Sequence, residues 1–212
     1  MAEPPPPPPN VVNWFKQHYP RPRVDLQWLT DCYNWVTTSL PPLPASPTPA
    51  DFQPLIQSIQ EQLLLSDLSD SMIPGTGLPL HIGNPETDNA TLTGPGVLVQ
   101  IVSMTDIGVS AYKLDQTRGV REERIRARAI AGAGAADGQQ GEGEEEPDED
   151  VIGEGPIPKY TRSMLKLGLS DGTTTIQAIE YKPLPELVLG ETELGFKVSP
   201  LISREIWVLI TR

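Results

Sequence analysis

Between Asn10 and Tyr19 the apolar residues fall at Val11, Val12, Trp14, Phe15 and Tyr19, a helical spacing that Pro20 stops. A second helix opens at Asp25, whose short carboxylate suits an N-cap. Its apolar residues Trp28, Leu29, Cys32, Tyr33 and Val36 lie on one stripe. Prolines from Pro41 to Pro49 end it, and a third helix starts near Asp51 with Leu55, Ile56, Ile59, Leu63 and Leu64 as its buried face. Helices this short are marginal alone, so the pattern predicts a three-helix bundle over residues 10–75. The aromatic stripe is expected to be core, with Cys32 a small buried hydrophobe rather than a nucleophile.

After a Gly/Pro-rich connector the period changes from helical to alternating. Val97, Val99 and Ile101 share one strand face and Leu98, Gln100 and Val102 the other, so both faces should be partly covered. Alternation resumes at Leu165, Leu167 and Leu169 against Met164, Lys166 and Gly168. Ser170-Asp171-Gly172 is then a hairpin turn and Thr173 to Tyr181 the returning strand, while Leu194 to Val198 and Glu205 to Thr211 can supply two more. Helices followed by five short strands predict an α+β chain whose residues 76–212 form a five-stranded OB-fold β-barrel. A long flexible loop, residues 113–158, is inserted between the first two strands. Its arginines at 118, 121, 124, 126 and 128 could sit on a short basic helix, Ala129 to Gly143 is Ala/Gly-rich, and the acidic run Glu142 to Asp150 should repel itself.

Composition explains what lies outside these elements. The chain has 24 Pro and 18 Gly among 212 residues, too many for all of it to be packed. Residues 1–9 read as a disordered polyproline leader; an SH3 or WW ligand is the sharper alternative, but the run lacks a flanking basic residue. The net charge is -12, and no Lys or Arg occurs between Arg23 and Lys113 against nine acidic side chains. That half cannot track a phosphate backbone. One cysteine excludes an internal disulfide framework and fits a reducing compartment. Neither a signal peptide nor a membrane span is expected.

Catalytic chemistry finds little support. His18 and His81 have no carboxylate or serine at a suggestive spacing, and no phosphate-binding loop, nucleophile elbow or zinc-protease motif occurs. The acidic tract lacks the ligand alternation of a Ca²⁺ loop, and Asn89-Ala90-Thr91 without a secretory signal is a chance glycosylation match. The expectation is a protein that is not an enzyme and needs no cofactor or metal.

Specific residues carry a resemblance. Trp28-Leu29-Thr30-Asp31-Cys32 and Gln62-Leu63-Leu64-Leu65-Ser66-Asp67-Leu68 are followed by Leu98-Val99-Gln100-Ile101 and Thr105-Asp106-Ile107-Gly108. Beyond the insertion come Arg162-Ser163-Met164-Leu165, Leu169-Ser170-Asp171-Gly172, Ala178-Ile179-Glu180-Tyr181-Lys182-Pro183 and Leu194-Gly195-Phe196-Lys197-Val198. In this order, over residues 10–198, they resemble the N-terminal region of the RecQ-mediated genome instability protein 1 family; residues 199–212 depart from its pattern. The resemblance implies a nuclear accessory subunit in genome maintenance, DNA replication, repair and homologous recombination. Its partners would be topoisomerase III and a RecQ-family helicase. The insertion would bias the topoisomerase gate toward decatenation and dissolution of double Holliday junctions. DNA contact would be weak or indirect. Asp106, Tyr112, Arg118, Arg121, Arg124 and Lys197 are the protein-binding residues so implied. The competing reading is a single-stranded DNA-binding OB-fold, for which the strands offer only Tyr160, Tyr181, Lys166 and Lys182.

Overall fold

Helix α1 spans Pro9–His18 and buries Val11 and Phe15. Its start at proline is favourable, because the first helical amide has no intrahelical partner to lose. The leader is therefore not wholly free of the fold: Pro7 is buried, and the Asn34 side chain donates to the Pro5 carbonyl at 3.4 Å. The computed structural model describes residues 5–40, 44, 47–79, 94–134, 155–180 and 182–198.

Helix α2 spans Leu26–Ser39, and the Asp25 carboxylate caps it by accepting from the Gln27 and Trp28 amides. A 3-10 turn over Pro49–Phe52 leads into α3, Gln53–Leu65, with Thr48 and Asp51 forming a capping box at the entry. A one-turn helix α4, Leu68–Ser71, is capped by Asp67. Leu29, Val36, Leu55, Ile56, Ile59 and Leu63 meet Val11 and Phe15 in one apolar core, as the sequence periodicity requires. Leu64, expected on the buried face, is instead exposed, because Leu63 already points inward and its neighbour lies about 100° around the helix. Trp28, Cys32 and Tyr33 are only half-buried at the core margin.

The chain divides into two compact units, Met1–Thr105 with Met164–Arg212, and Asp106–Ser163. In the first unit the helices are followed by a sheet of β1 (Val99–Asp106), β2 (Leu165–Ser170), β3 (Thr175–Ile179) and β4 (Lys197–Val198), in the order β3-β2-β1-β4. β2 and β3 form an antiparallel hairpin, with Lys166 opposite Ile179 and Ser170 opposite Thr175. β4 pairs antiparallel with β1 through Val99 with Val198 and Gln100 with Lys197. Four strands are seen among the described residues; the further strand expected at Glu205 to Thr211, and Tyr181 at the end of the returning strand, lie outside them. The inward residues Val99, Ile101, Leu165, Leu167, Leu169, Ile176 and Ala178 build a second apolar core. Val97 and Leu98 are both buried, and Leu98 joins the helical core, so both faces of this segment are covered.

Two buried carboxylates organise the loops of this unit. Asp171 accepts from the amides of Leu78, Thr173 and Thr174 at 2.5, 2.9 and 2.6 Å, which closes the hairpin turn and ties the connector to it. Glu180 accepts from the Leu165 and Leu184 amides at 2.7 and 3.3 Å. Gly172 has φ +94, and a Cβ there would stand 2.5 Å from the Leu68 carbonyl group, so the turn needs glycine both for conformation and for space.

The insertion differs from the loop expected over 113–158. Its first part is a 24-residue helix, α5, Ala111–Gly134. Arginine and alanine propagate a helix well, and here they do so far beyond the short basic segment expected around Arg118 to Arg128. The Ala/Gly-rich stretch after Gly134 and the acidic run Glu142 to Asp150 lie outside the described residues.

Candidate protein-docking site

Within the second unit, the inward stripe of α5 runs through Leu114, Thr117, Arg121, Arg124 and Ala127, spaced three and four apart. The arginines of this helix use their length to hold the returning chain. Arg121 donates to the Pro158 carbonyl at 2.6 Å and stacks over the Tyr160 ring, its guanidinium carbon 5.0 Å from the centroid. One turn on, Arg124 donates to the Pro156 carbonyl, and Arg128 reaches the Gly155 carbonyl at 3.3 Å. The result is a ladder of cations against an extended backbone. The segment is net basic, with six basic and three acidic side chains between 111 and 130.

Arg118 faces away from this ladder and is 61% exposed. It pairs with Asp115 at 2.7 Å and Glu122 at 3.4 Å, and the hydrogen bond to Asp115, then the two carboxylate charges, push its pKa further up. Tyr112, 73% exposed, accepts from the Gln116 side chain at 3.0 Å and otherwise presents its ring to solvent. Asp106 is placed differently from the expectation. It is 2% exposed and accepts from the Ser163 and Gly108 amides at 2.5 and 2.9 Å, closing the neck where the insertion leaves and returns. A buried carboxylate satisfied by backbone amides is a positioning group, and Asp106 holds the neck rather than presenting its side chain to solvent. The Thr-Asp-x-Gly signal in the sequence marks the neck.

Lys197 belongs to the first unit, at the sheet edge. It is half-buried, opposite Gln100 in the β1–β4 ladder, and its ammonium donates to the Gly195 carbonyl at 2.8 Å. Burial lowers its pKa, while the charge of Asp67 partly offsets this. Asp67 in turn accepts from the Ser69 amide and the Gln100 side chain, and these bonds hold its carboxyl below the usual range. An open depression of about 370 Å³ lies here, bordered by Leu65, Asp67, Gln100, Leu194 and Lys197. Leu194 and Phe196 are exposed beside it, an apolar rim that periodicity alone did not mark as functional because it sits in a turn.

No catalytic arrangement emerges among the described residues. His18 stacks on Trp14 with centroids 3.9 Å apart and shares a ring-nitrogen hydrogen bond with the Trp14 carbonyl, a helix-end packing role. His81 lies outside the described residues. No three His, Cys, Asp or Glu side chains gather as a metal site among the described residues, and no described helix is long and apolar enough to cross a membrane. Tyr160, one of the few aromatics available for base stacking, is occupied by Arg121.

Comparison with curated proteins finds no match. Two family models do match in chain order, an RMI1 N-terminal helical domain over residues 11–71 and an RMI1 N-terminal OB-fold domain over residues 78–203. The first covers α1 to α4 and the second the sheet with its inserted arm. Together they span most of the sequence, and the chain belongs to the RMI1 N-terminal family.

Proposed function

We propose that this chain is a non-enzymatic accessory subunit of a nuclear topoisomerase III and RecQ helicase complex, promoting decatenation and dissolution of double Holliday junctions. The observation that carries the reading is the ordered match of both RMI1 N-terminal domains, with an arginine-rich helix α5 in the insertion of the second. In this reading the sheet closes as a five-stranded OB-fold barrel on a three-helix bundle, and the barrel docks the enzyme while the insertion biases its gate. Tyr112 and Arg118 on the outer side of α5, and Lys197 on the sheet, are the contacts proposed. Arg121 and Arg124 act through the ladder, holding the returning chain against the helix.

A catenated-circle assay tests the division of labour. Replacing residues 119–156 with a short Gly/Ser linker should leave folding and topoisomerase docking largely intact, because the exchanged segment carries few apolar residues. Decatenation should fall, since a bound element shifts a gate only through its different contacts with the two gate states. Equal decatenation at equal occupancy would leave the chain a docking subunit without a gate role. Single-stranded DNA titration in parallel reads out the competing OB-fold activity; tight binding at physiological salt would favour it.

A further inference from the structure

Helices α2 and α3 leave a surface that their own core does not use. Trp35 is 59% exposed and Leu65 is 80% exposed. On α2, Trp28, Asp31 and Trp35 are spaced i, i+3 and i+7, which puts them on one stripe about two turns long. With Cys32 beside them, and Gln62 and Leu65 from α3 across the gap, they line an open depression of about 380 Å³. Tryptophan and leucine side chains left in water at the rim of a depression have the form of binding hot spots, where a partner's apolar residue can be desolvated between aromatic walls.

Charge decides what kind of partner fits. Asp31 is exposed at the depression and its carboxylate accepts only the neutral Gln27 side-chain amide among the bonds seen. Glu61, one turn before Leu65 on α3, is exposed, and no Lys or Arg occurs between Arg23 and Lys113. No Lys or Arg lines the depression, so a phosphate backbone would find no cation within it. An acidic partner would be repelled. A groove between two helices, with apolar anchors spaced by two helical turns, accepts a third helix laid along it.

We infer that the α2–α3 depression is a docking groove for a basic amphipathic helix of a partner protein. Apolar residues of that helix at i, i+3 or i+4, and i+7 would seat against Trp28, Trp35 and Leu65, and its Lys or Arg residues would face Asp31 and Glu61. The proposal is independent of the gate reading, because it uses neither α5 nor Lys197.

The test titrates the full chain with a synthetic Leu/Lys helix of about 18 residues, long enough for five turns. A peptide of the same composition with its leucines off the helical spacing, and a Leu/Glu version with the original spacing, serve as comparisons. Affinity is measured by calorimetry at low and physiological salt, and the bound surface by amide and indole chemical shifts. The regularly spaced Leu/Lys peptide should bind at least about tenfold tighter than either comparison. Trp35→Ala and Asp31→Lys should each weaken it about tenfold with the chain's thermal midpoint unchanged, since both side chains are exposed. Leu65→Ala should weaken it as well. Equal binding by the off-spaced peptide, no effect of Trp35→Ala, or shifts confined to the sheet would overturn the proposal. Two other occupants would also overturn it. A concentration-dependent dimer abolished by Trp35→Ala would assign the groove to a second copy, and tenfold tighter peptide binding on removal of residues 199–212 would assign it to the chain's own tail.

Discussion

At the scale of single residues, the most specific short motifs of the sequence prove to be carboxylates aimed at backbone amides. Asp171 and Glu180 are buried, and neither could have been assigned that role from periodicity, because Asp171 stands in a turn between strands and Glu180 just past the end of one. Asp171→Ala would leave the Leu78, Thr173 and Thr174 amides without their acceptor. At about 1–3 kcal/mol for a buried group left unsatisfied, the loss should be about 3 kcal/mol or more, and the thermal midpoint should drop by roughly 10 °C. Calorimetry of this variant beside wild type decides it; a shift of a degree or two would mean that water replaces the carboxylate. Asp67 adds a pH dependence. Hydrogen bonds from the Ser69 amide and Gln100 lower its pKa in the folded state, so its stabilising contribution is present above its ordinary value of 3.8 and is lost as pH falls through the lowered one. Asp67→Asn keeps a capping oxygen but cannot titrate, and its thermal midpoint should fall less steeply than that of wild type below pH 4. Parallel slopes for the two proteins would reject the assignment. Cys32, pushed up to about 11 by burial, remains a thiol at neutral pH, in keeping with a packing rather than a nucleophilic role.

At the scale of elements, α1, α2 and α3 were legible because each carries a full apolar stripe, whereas the one-turn α4 is too short to show a period. Asp25 before α2 and the residues preceding α3 stand where capping chemistry requires them. The hairpin was legible from Ser170-Asp171-Gly172 and its alternating flanks. Helix α5 was only half visible, since its inward stripe mixes Leu114 and Ala127 with Thr117, Arg121 and Arg124 and so forms no continuous apolar face. Hydrophobic periodicity has nothing to register in such a helix. Its stability instead comes from intrinsic propensity and from the ladder of arginines on the returning carbonyls. Substituting alanine at both Arg121 and Arg124 should preserve α5 itself, because alanine is the best helix former. The segment 155–160 should come loose, seen as faster amide exchange and earlier proteolysis there, with little change in the midpoint of the first unit. Unchanged protection of that segment would show that the ladder is not what holds it.

At the scale of the whole molecule, charge is partitioned along the chain. The stretch from Asp25 to Asp106 carries nine acids and no Lys or Arg, α5 carries a surplus of arginine, and eight acids follow between Glu142 and Glu154. The tract adds negative charge that disfavours a phosphate backbone, so deleting Glu142 to Asp150 should raise DNA affinity several-fold at low salt and much less at physiological salt. Fluorescence anisotropy with a labelled oligonucleotide measures it, and an affinity indifferent to the deletion would rule out that effect of the tract. The neck of the insertion bears on descent. β1 and β2 are neighbours in the sheet, and Asp106 clasps Ser163 where the excursion begins and ends. The two strands are thus joined by a single excursion of the chain. Doubling the length of such an excursion adds only about 0.6 kcal/mol of closure entropy. Length in this segment can drift during evolution at almost no thermodynamic penalty. Two relatives with insertions of very different size can then share one sheet, whereas a relative that has lost the Asp106, Asp171 or Glu180 carboxylate must have rebuilt the loops those groups hold.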